Sequence, residues 1–141
     1  MPLPCRLYGV AVDTRFPFTY NVPRTTEAPV LRVDAAPEPF PASLWSGMTA
    51  VSREAGDGVS IPNTLLRSPD GRRWGLRFEA AADFLLTPHT IGYHLADPAM
   101  AHGVETWLLG TVFSLWNERR GVPALHAALF QDDHHGPGGA V

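Results

Sequence analysis

The chain has 141 residues, and 45% of them are hydrophobic, which is enough to build one hydrophobic core. We therefore expect a single folded domain over residues 1–141, with a formal net charge of −3 at neutral pH. All 11 basic residues are arginines scattered along the chain, so no positive stripe for nucleic acid is expected. The absence of lysine excludes Schiff bases, lysine general bases and Walker-type phosphate contacts.

The amino-terminal residues show no targeting or membrane signal. They lack a basic stretch followed by a long apolar run, and no apolar stretch approaches the ~20 residues that span a bilayer. Cys5 is the only cysteine, so no intrachain disulfide can form. These features predict a cytoplasmic protein without membrane contact.

Strand-forming residues dominate the first half of the chain. Residues 5–13 alternate small and large apolar side chains, which predicts one opening strand. Prolines recur between residues 21 and 41, so this segment is predicted to be irregular and edge-like around a short strand candidate at 29–34. Glycine and aspartate at residues 55–58 predict a loop.

The clearest hairpin signal lies in the middle of the chain. Residues 68–71 read Ser-Pro-Asp-Gly, a turn sequence with Pro and Gly at suitable positions. Strand candidates flank it at 64–67 and 72–78, and two more follow at 83–87 and 90–95. This part of the chain is therefore predicted to be a β-meander.

One amphipathic helix is predicted over about residues 98–120. Asp97 can cap its first turn, with Pro98 at the first helical position, and apolar residues then recur at helical spacing. Gly121 is a typical C-terminal stop. Gly110, in the helix interior, is interpreted as a place where the helix backbone closely approaches a sheet.

The expected fold class is α+β, with a β-rich part at residues 1–96, one main helix and one further strand. Residues 124–130 form a short apolar run that predicts a buried strand. Residues 131–139 then form a Gly- and Asp-rich turn, which leaves only Ala140 and Val141.

Three segments in the second half of the chain resemble, in this order, the region before the P-loop of HPr-kinase-like proteins. They read Trp-Leu-Leu-Gly-Thr-Val at 107–112, Arg-Gly-Val-Pro-Ala-Leu-His-Ala-Ala at 120–128 and Gly-Gly-Ala-Val at 138–141. The upstream segment 78–86, Phe-Glu-Ala-Ala-Ala-Asp-Phe-Leu-Leu, is similar to the amino-terminal region of the same family. The order of the segments carries the resemblance.

The resemblance implies that the chain is the non-catalytic amino-terminal portion of an HPr-kinase-like serine kinase. It would be a fragment of a larger protein, ending before the P-loop, with the helix and the first strand of the nucleotide-binding core in residues 97–141. The family's activity is ATP-dependent phosphorylation of a serine on a carrier protein or peptide. The partners implied are that protein or peptide substrate and the missing kinase core.

The chain departs from the family pattern at the parts that carry catalysis. It has no G-x-x-x-x-G-K-[ST] motif, no lysine to reach the β- and γ-phosphates, and no hydroxyl placed after it for Mg²⁺. We therefore expect the chain alone to hold no cofactor and to be inactive, whereas ATP and Mg²⁺ are implied for an intact parent.

His126 is the one candidate catalytic residue. It lies where the family has a strand histidine near the phosphate site, so in an intact enzyme it would orient or contact the transferred phosphoryl group. In the isolated chain it is interpreted as a core-edge histidine bonded to backbone. Residues 132–135, Asp-Asp-His-His, are interpreted as a solvated turn, so no metal site is expected.

Trp107, Phe113 and Trp116 allow two interpretations. Aromatic residues at helical spacing could mark a ligand groove, but such residues are more often part of a core, and we assign them to the core.

Two other function classes remain open. The chain could be an independent protein- or peptide-binding module that uses a sheet edge or groove without nucleotide. A small-molecule enzyme that uses the scattered histidines is the third hypothesis. The unpaired strand expected at 124–130 would also favour a homo-oligomer.

Overall fold

The computed structural model describes residues 3–19, 21–56 and 61–119 of the protein. These residues form the α+β fold that the sequence predicts, with one eight-stranded sheet and one main helix. The chain divides into two compact units at the boundary between His102 and Gly103. None of the helices in the described ranges is long and apolar enough to cross a membrane.

The helices and strands have the following bounds. The strands are β1 (Cys5–Leu7), β2 (Val10–Thr14), β3 (Leu31–Ala35), β4 (Thr49–Glu54), β5 (Asn63–Arg67), β6 (Trp74–Phe78), β7 (Ala82–Leu86) and β8 (Thr90–Leu95). The helical segments are α1 (Ala42–Ser46), a 3₁₀ turn (Pro98–Met100), α2 (Ala101–Trp107), a π-helical turn (Leu108–Val112) and α3 (Phe113–Arg119). The last four follow one another directly and form the main helix.

The sheet combines an antiparallel meander with a short parallel region. The strand order is β1-β2-β3-β8-β7-β6-β5-β4. Strands β4 to β8 are antiparallel neighbours in sequence order, which confirms the predicted meander. Strands β1 and β2 are antiparallel, whereas β3 lies parallel to both β2 and β8. Because these three strands run in the same direction, the carboxyl ends of β2, β3 and β8 lie next to one another at the same end of the sheet.

The single opening strand predicted for residues 5–13 is wrong, because the chain turns back on itself at Tyr8 and Gly9. Both residues have positive φ, 50° and 81°, as in the two-residue turns that suit the twist of a hairpin. Leu7 lies opposite Val10, so β1 and β2 pair directly across this turn. Because strand-forming residues surround the turn, the alternation of side-chain size in the sequence continues through Tyr8 and Gly9 and does not reveal the turn.

The short strand candidate at residues 29–34 is confirmed as β3, but its predicted edge-like position is wrong. Strand β3 is an interior strand with β2 on one side and β8 on the other. Leu31 and Val33 are buried, at 2% and 1% exposure. Pro29 precedes the strand and Pro37 follows it, so the prolines delimit β3 and remove none of its ladder N–H donors.

The predicted turn at residues 68–71 is confirmed, and side-chain hydrogen bonds hold it. The Ser68 hydroxyl donates to Oδ1 of Asp70 at 2.6 Å and accepts from the backbone N–H of Arg73 at 3.0 Å. The same Asp70 oxygen accepts from the backbone N–H of Arg72 at 3.0 Å. These two donors, the hydroxyl first, lower the pKa of the Asp70 carboxyl.

We expect Ser68→Ala to destabilise this turn by about 1–3 kcal/mol, because the substitution removes both hydrogen bonds of the hydroxyl and each typically contributes about 0.5–1.5 kcal/mol. The Ser68 side chain is only 1% exposed, and its loss leaves the Arg73 N–H without its acceptor. The pKa of Asp70 should rise toward its ordinary value at the same time. Urea unfolding and an NMR titration of Asp70 measure the two effects, and an unchanged Asp70 pKa would contradict the assigned bond.

One face of the sheet carries the large buried side chains. On β6, Trp74, Leu76 and Phe78 are buried and point to this face. Phe84 on β7 is fully buried, and its ring lies 5.9 Å from that of Phe78 and 6.4 Å from that of Tyr93. This alternation of buried positions fixes the register of the meander, because a slip by one residue would expose every one of these side chains.

The opposite face of the sheet is covered in part by α1 and by Phe40, two residues before it. Trp45 of α1 lies over Gly75, where a Cβ would be 2.5 Å from Cζ3 of the indole. Phe40 lies over Gly92, where a Cβ would be 3.5 Å from Cζ of the ring. The two rings meet edge to face with centroids 5.6 Å apart. Gly75 thus makes room for the Trp45 ring, whereas a Cβ at Gly92 would be in ordinary van der Waals contact with Phe40.

The main helix begins as predicted and contains an irregular turn. The Asp97 side chain accepts a hydrogen bond from the backbone N–H of Ala99 at 3.0 Å, with Pro98 at the first position. Within the helix, Phe113 and Trp116 are buried, and their rings lie 5.6 Å apart. Burial of this pair confirms its assignment to the core.

The close approach of Gly110 to a sheet stays a prediction. Gly110 is exposed and lies in the π-helical turn, and a Cβ built there would meet no atom of the described residues within 4 Å outside its own helix backbone. Its backbone φ is not positive, so the position does not require glycine for conformational reasons. Helical spacing alone could not distinguish a solvent-facing glycine from one in contact with a sheet.

We expect Gly110→Ala to stabilise the protein by about 0.5–1 kcal/mol. Glycine is less favourable than alanine in a helix because it loses more backbone freedom on folding, and no neighbour opposes the added methyl group. Thermal and urea unfolding of the variant measure the change. A clear loss of stability would instead indicate that the π-helical turn needs glycine.

Candidate functional site

The residues that the sequence singles out for chemistry lie outside the described part of the chain. This holds for the candidate catalytic residue His126, for the Asp-Asp-His-His run at 132–135 and for the strand expected at 124–130. Among the residues that are described, no group of three or more His, Cys, Asp or Glu side chains could hold a metal ion. A candidate site within the described residues is therefore defined by the geometry of the sheet.

A polar cavity lies at the carboxyl ends of the parallel strands β2, β3 and β8. Its volume is about 600 Å³. The residues that line it are Asp13, Thr14, Arg15, Phe16, Arg32, Asp34, Ala35 and Tyr93. Chains leave parallel strands in different directions, and the crevice that opens outside their carboxyl ends is a common place for ligands.

Two carboxylates share one guanidinium at this cavity. Asp13 and Arg32 are direct partners in the register of β2 and β3, and Asp34 lies two residues beyond Arg32. The Arg32 guanidinium is 3.5 Å from Oδ2 of Asp13 and 4.0 Å from Oδ2 of Asp34. Both distances exceed the roughly 2.7–2.9 Å of a charge-assisted hydrogen bond, so both pairs are loose. All three side chains are about half exposed or more.

Two aromatic side chains, Phe16 and Tyr93, also line the cavity, and in the strand register Tyr93 lies on the face of the sheet opposite to Asp34. The rings of Phe16 and Tyr93 meet edge to face with centroids 5.7 Å apart, and Phe16 also contacts Phe18 at 4.8 Å. Partial burial, and next the negative charge of Asp34, raise the pKa of the Tyr93 phenol. The phenol is therefore neutral at physiological pH and available as a hydrogen-bond donor. The cavity combines an apolar side with a charged side.

The sequence contains a signal for this site that becomes informative only when the strand order is known. Strands β2 and β3 both end in an apolar-x-Val-Asp pattern, at residues 10–13 and 31–34. The pattern would place two carboxylates at one edge if the two strands were known to be parallel neighbours. An edge-like segment at residues 29–34 does not predict that Asp13 and Asp34 lie at the same cavity.

A second polar feature crosses the antiparallel part of the sheet. Arg53, Thr64, Arg77, Asp83 and His94 are partners in direct register on β4 to β8. The row borders a smaller cavity of about 370 Å³. The row carries two arginines and one aspartate, so it has a net positive charge that could attract an anion. Whether the arginines are available for an anion depends on the contacts that they already make.

Both arginines of this row are already engaged. Arg77 donates through Nε to Asp83 at 2.9 Å, and its guanidinium lies 4.7 Å from the ring centroid of Trp45. Arg53 donates to Glu79 at 3.3 Å. The Arg77–Asp83 bond ties the neighbouring strands β6 and β7 together, and the other two contacts join β6 to α1 and β4 to the residue after β6. We interpret the row as structural and the cavity at β2, β3 and β8 as the better ligand site.

The single cysteine does not form a reactive centre. Cys5 is 2% exposed, and burial raises the pKa of its thiol, so little thiolate is present at neutral pH. Its position in β1 is that of a small core side chain.

The two edges of the sheet differ in their protection. Segment 23–25 covers β1, with the Arg6 N–H donating to the Pro23 carbonyl at 2.8 Å and the Thr25 N–H to the Pro4 carbonyl at 2.9 Å. All six residues of β4, by contrast, are exposed, and in the described residues β4 pairs only with β5. The edge at β4 is therefore the more accessible one.

No protein-family model, curated protein or solved structure significantly matches the chain.

Proposed function

We propose that the chain serves as the non-catalytic amino-terminal portion of an HPr-kinase-like serine kinase. The parent would phosphorylate a serine of a carrier protein or peptide at the expense of ATP, in the cytoplasm. The observation that carries the proposal is the order of its parts, in which a β-rich sheet is followed by a helix and then by the Arg-Gly-Val-Pro-Ala-Leu-His-Ala-Ala segment at residues 120–128.

The position of the main helix supports this proposal. The segment 107–112, which resembles the family, lies inside the helix, and α3 runs to Arg119, next to the start of segment 120–128. The segment 78–86 spans the end of β6 and all of β7, in the meander before the helix. Two of the four similar segments, 78–86 and 107–112, thus lie in a strand pair and a helix, whereas segments 120–128 and 138–141 lie outside the described residues.

The residues of this chain do not fit ATP and Mg²⁺. The sequence offers no lysine to the phosphates and no Gly-Lys-Ser or Gly-Lys-Thr loop to hold them and the metal. A phosphoryl-transfer step cannot be assigned to this chain, and the cofactors belong to the proposed parent. The same holds for the role of His126 beside a transferred phosphoryl group.

Calorimetry with Mg·ATP tests the first part of the proposal. We expect no stoichiometric binding to the folded 141-residue chain, because no phosphate-binding lysine is present. A site of micromolar affinity on this chain would contradict the proposal.

The coding sequence beyond Val141 tests the second part. We expect it to encode a Gly-rich loop that ends in Gly-Lys-Ser or Gly-Lys-Thr, and we expect the longer protein to transfer the γ-phosphoryl group of ATP to a serine. A longer protein with no such loop, or a stop codon directly after Val141, would overturn the kinase proposal.

A second candidate function is an independent peptide-binding module, and the exposed edge at β4 favours it. An extended peptide can add a strand to a free sheet edge, where backbone hydrogen bonds provide affinity. Val51 in the middle of β4 is 50% exposed and would contact such a peptide. The bulge between Ala50 and Ser52 limits how regular the added strand can be.

Selection from a random peptide display library tests this second function. We expect selected peptides to lose binding to Val51→Lys, because an edge lysine opposes strand addition. Val30→Lys is the matched control, since Val30 is 48% exposed and lies away from β4. Equal binding to both variants, or no selected peptide, would exclude strand addition at this edge.

A further inference from the structure

A further cavity lies beside β1 and the carboxyl end of β2, and its lining carries charge of one sign only. Its volume is about 290 Å³. The residues that line it are Cys5, Thr14, Phe16, Pro17, Phe18, Asn21, Val22 and Arg24. Of these residues only Arg24 is charged, and most of the others are apolar. The lining therefore favours a ligand that combines one negative charge with an apolar group.

The strand register places the polar groups of this lining on one face of the sheet. Cys5 lies opposite Val12 in the antiparallel pair of β1 and β2, and it lies opposite Arg24 in an isolated antiparallel bridge. Direct antiparallel partners project from the same face, and so do residues two positions apart along a strand. Thr14, two residues after Val12, therefore shares this face with Cys5 and Arg24.

The aromatic rings of the lining lie at the same face. Tyr93 of β8 projects from the same face as Thr14, as the register through β3 shows. The ring of Phe16 lies 5.7 Å from that of Tyr93 and 4.8 Å from that of Phe18. Phe16 and Phe18 thus form an apolar side of the cavity next to the hydroxyl and the guanidinium. Such rings gain energy by covering an apolar group of a ligand.

The two polar groups retain hydrogen-bond donors. Arg24 is exposed, and one of its N–H groups donates to the Leu3 carbonyl at 2.9 Å, whereas no carboxylate of the described residues pairs with it. The Thr14 hydroxyl accepts from the backbone N–H of Phe16 at 3.0 Å, which leaves its own proton to donate. Burial raises the pKa of the Cys5 thiol, and the charge of Arg24 opposes this rise, so that charge acts on a group that lines the cavity.

We propose that this cavity binds a small monocarboxylic acid with a compact apolar or aromatic group. The ligand carboxylate accepts hydrogen bonds from the Arg24 guanidinium and the Thr14 hydroxyl, and the apolar group packs on Phe16 and Phe18. The volume, about 290 Å³, lies at the lower end of the roughly 300–1,000 Å³ typical of ligand sites, so the ligand is small. This inference does not depend on the kinase proposal, because it uses only the geometry of β1, β2 and the residues that follow β2.

NMR titration of the full chain with phenylacetate and three relatives tests the ligand class. We expect one phenylacetate per chain to bind with a Kd of about 1 mM or lower and to shift the ring signals of Phe16 and Phe18. Phenylacetamide lacks the charge, acetate lacks the ring, and 2-phenylethylammonium carries the opposite charge. Each should bind at least about tenfold more weakly, because each loses the charge-assisted bonds or the apolar contact.

A peptide carboxyl terminus offers the same chemistry, and N-acetylglycyl-L-phenylalanine distinguishes it from a free acid. We expect this peptide to bind no more tightly than phenylacetate, because a cavity of about 290 Å³ leaves little room for a second residue. Tighter binding of the peptide would overturn the assignment to a free acid.

Protein variants locate the site independently. Arg24→Gln should weaken phenylacetate binding by at least about tenfold, and Arg24→Lys, which keeps the charge, should bind more tightly than Arg24→Gln does. Arg72→Gln is the matched control, since Arg72 is exposed like Arg24 and lies outside the cavity lining. Urea unfolding verifies that the variants fold, and the ligand panel on the unaltered chain decides the outcome if Arg24→Gln does not.

Three results would overturn the proposal. The first is the lack of any shift of Phe16 and Phe18 with phenylacetate at up to about 10 mM. The second is equal binding of phenylacetamide and phenylacetate. The third is an Arg72→Gln variant that loses as much binding as a folded Arg24→Gln variant, or a folded Arg24→Gln variant that loses none.

Discussion

Trp45→Ala is expected to destabilise the protein by about 3–5 kcal/mol, the usual cost of removing a buried tryptophan. The Trp45 side chain is 6% exposed and belongs to a core cluster with Met48 and Leu66. The Trp45 indole covers Gly75, and the Arg77 guanidinium lies over the same ring, 4.7 Å from the ring centroid. The substitution leaves a cavity on this face of the sheet and removes the main anchor of α1. Urea unfolding followed by circular dichroism measures the loss.

Trp45→Phe is the control that separates packing from hydrogen bonding. The buried indole Nε1 has no hydrogen-bond partner in the described residues, and a buried donor without a partner is unfavourable. Phenylalanine removes this donor and keeps one ring over Gly75. We expect its cost to be less than half that of Trp45→Ala. Equal costs for the two variants would show that the indole N–H contributes a bond after all.

Gly75→Ala is the second substitution with a large expected effect, a destabilisation of about 1–3 kcal/mol from overpacking. The new Cβ would lie 2.5 Å from Cζ3 and 3.2 Å from Cε3 of Trp45, closer than two carbon atoms can approach. The Trp45 ring also contacts Phe40 and Arg77, so it cannot move away without disturbing both. The free energy of unfolding, again from urea titration, measures this cost.

Two matched variants test the cause of this effect. In the Trp45→Ala background the added methyl group meets open space, so Gly75→Ala should become neutral or stabilising, and the double-mutant cycle should report a coupling of about 1–3 kcal/mol. Gly92→Ala places its Cβ at an ordinary 3.5 Å from Phe40, so it should cost little or stabilise. Additive effects of the Gly75 and Trp45 substitutions would contradict the contact.

Local patterns predicted the meander well because its signals lie close together in sequence. The turn at residues 68–71 carries its own hydrogen bonds, and the flanking strands pair with their nearest neighbours in the chain. The cap at Asp97 is equally local, since its partner is only two residues away. Features of this kind can be inferred without knowledge of the tertiary structure.

The candidate site could not be inferred in the same way. Asp13 and Asp34 are separated by 21 positions, and they share a cavity only because β2 and β3 are parallel neighbours. The alternation of Leu31 and Val33 indicates a strand, but it contains no information about which strands lie beside it. The prolines around β3 favoured an irregular interpretation, although they only delimit the strand.

Local sequence patterns are thus sufficient to predict the α+β class, the meander and the cap of the main helix, and the composition shows that no lysine can bind a phosphate. The three-dimensional arrangement was needed to establish that β3 is an interior strand, that Gly75 makes room for Trp45, and that two aspartates and two arginines line one cavity. The physical reason is the range of the interactions. Turns and caps depend on residues a few positions apart, whereas parallel pairing and a close approach bring together residues that are distant in the chain.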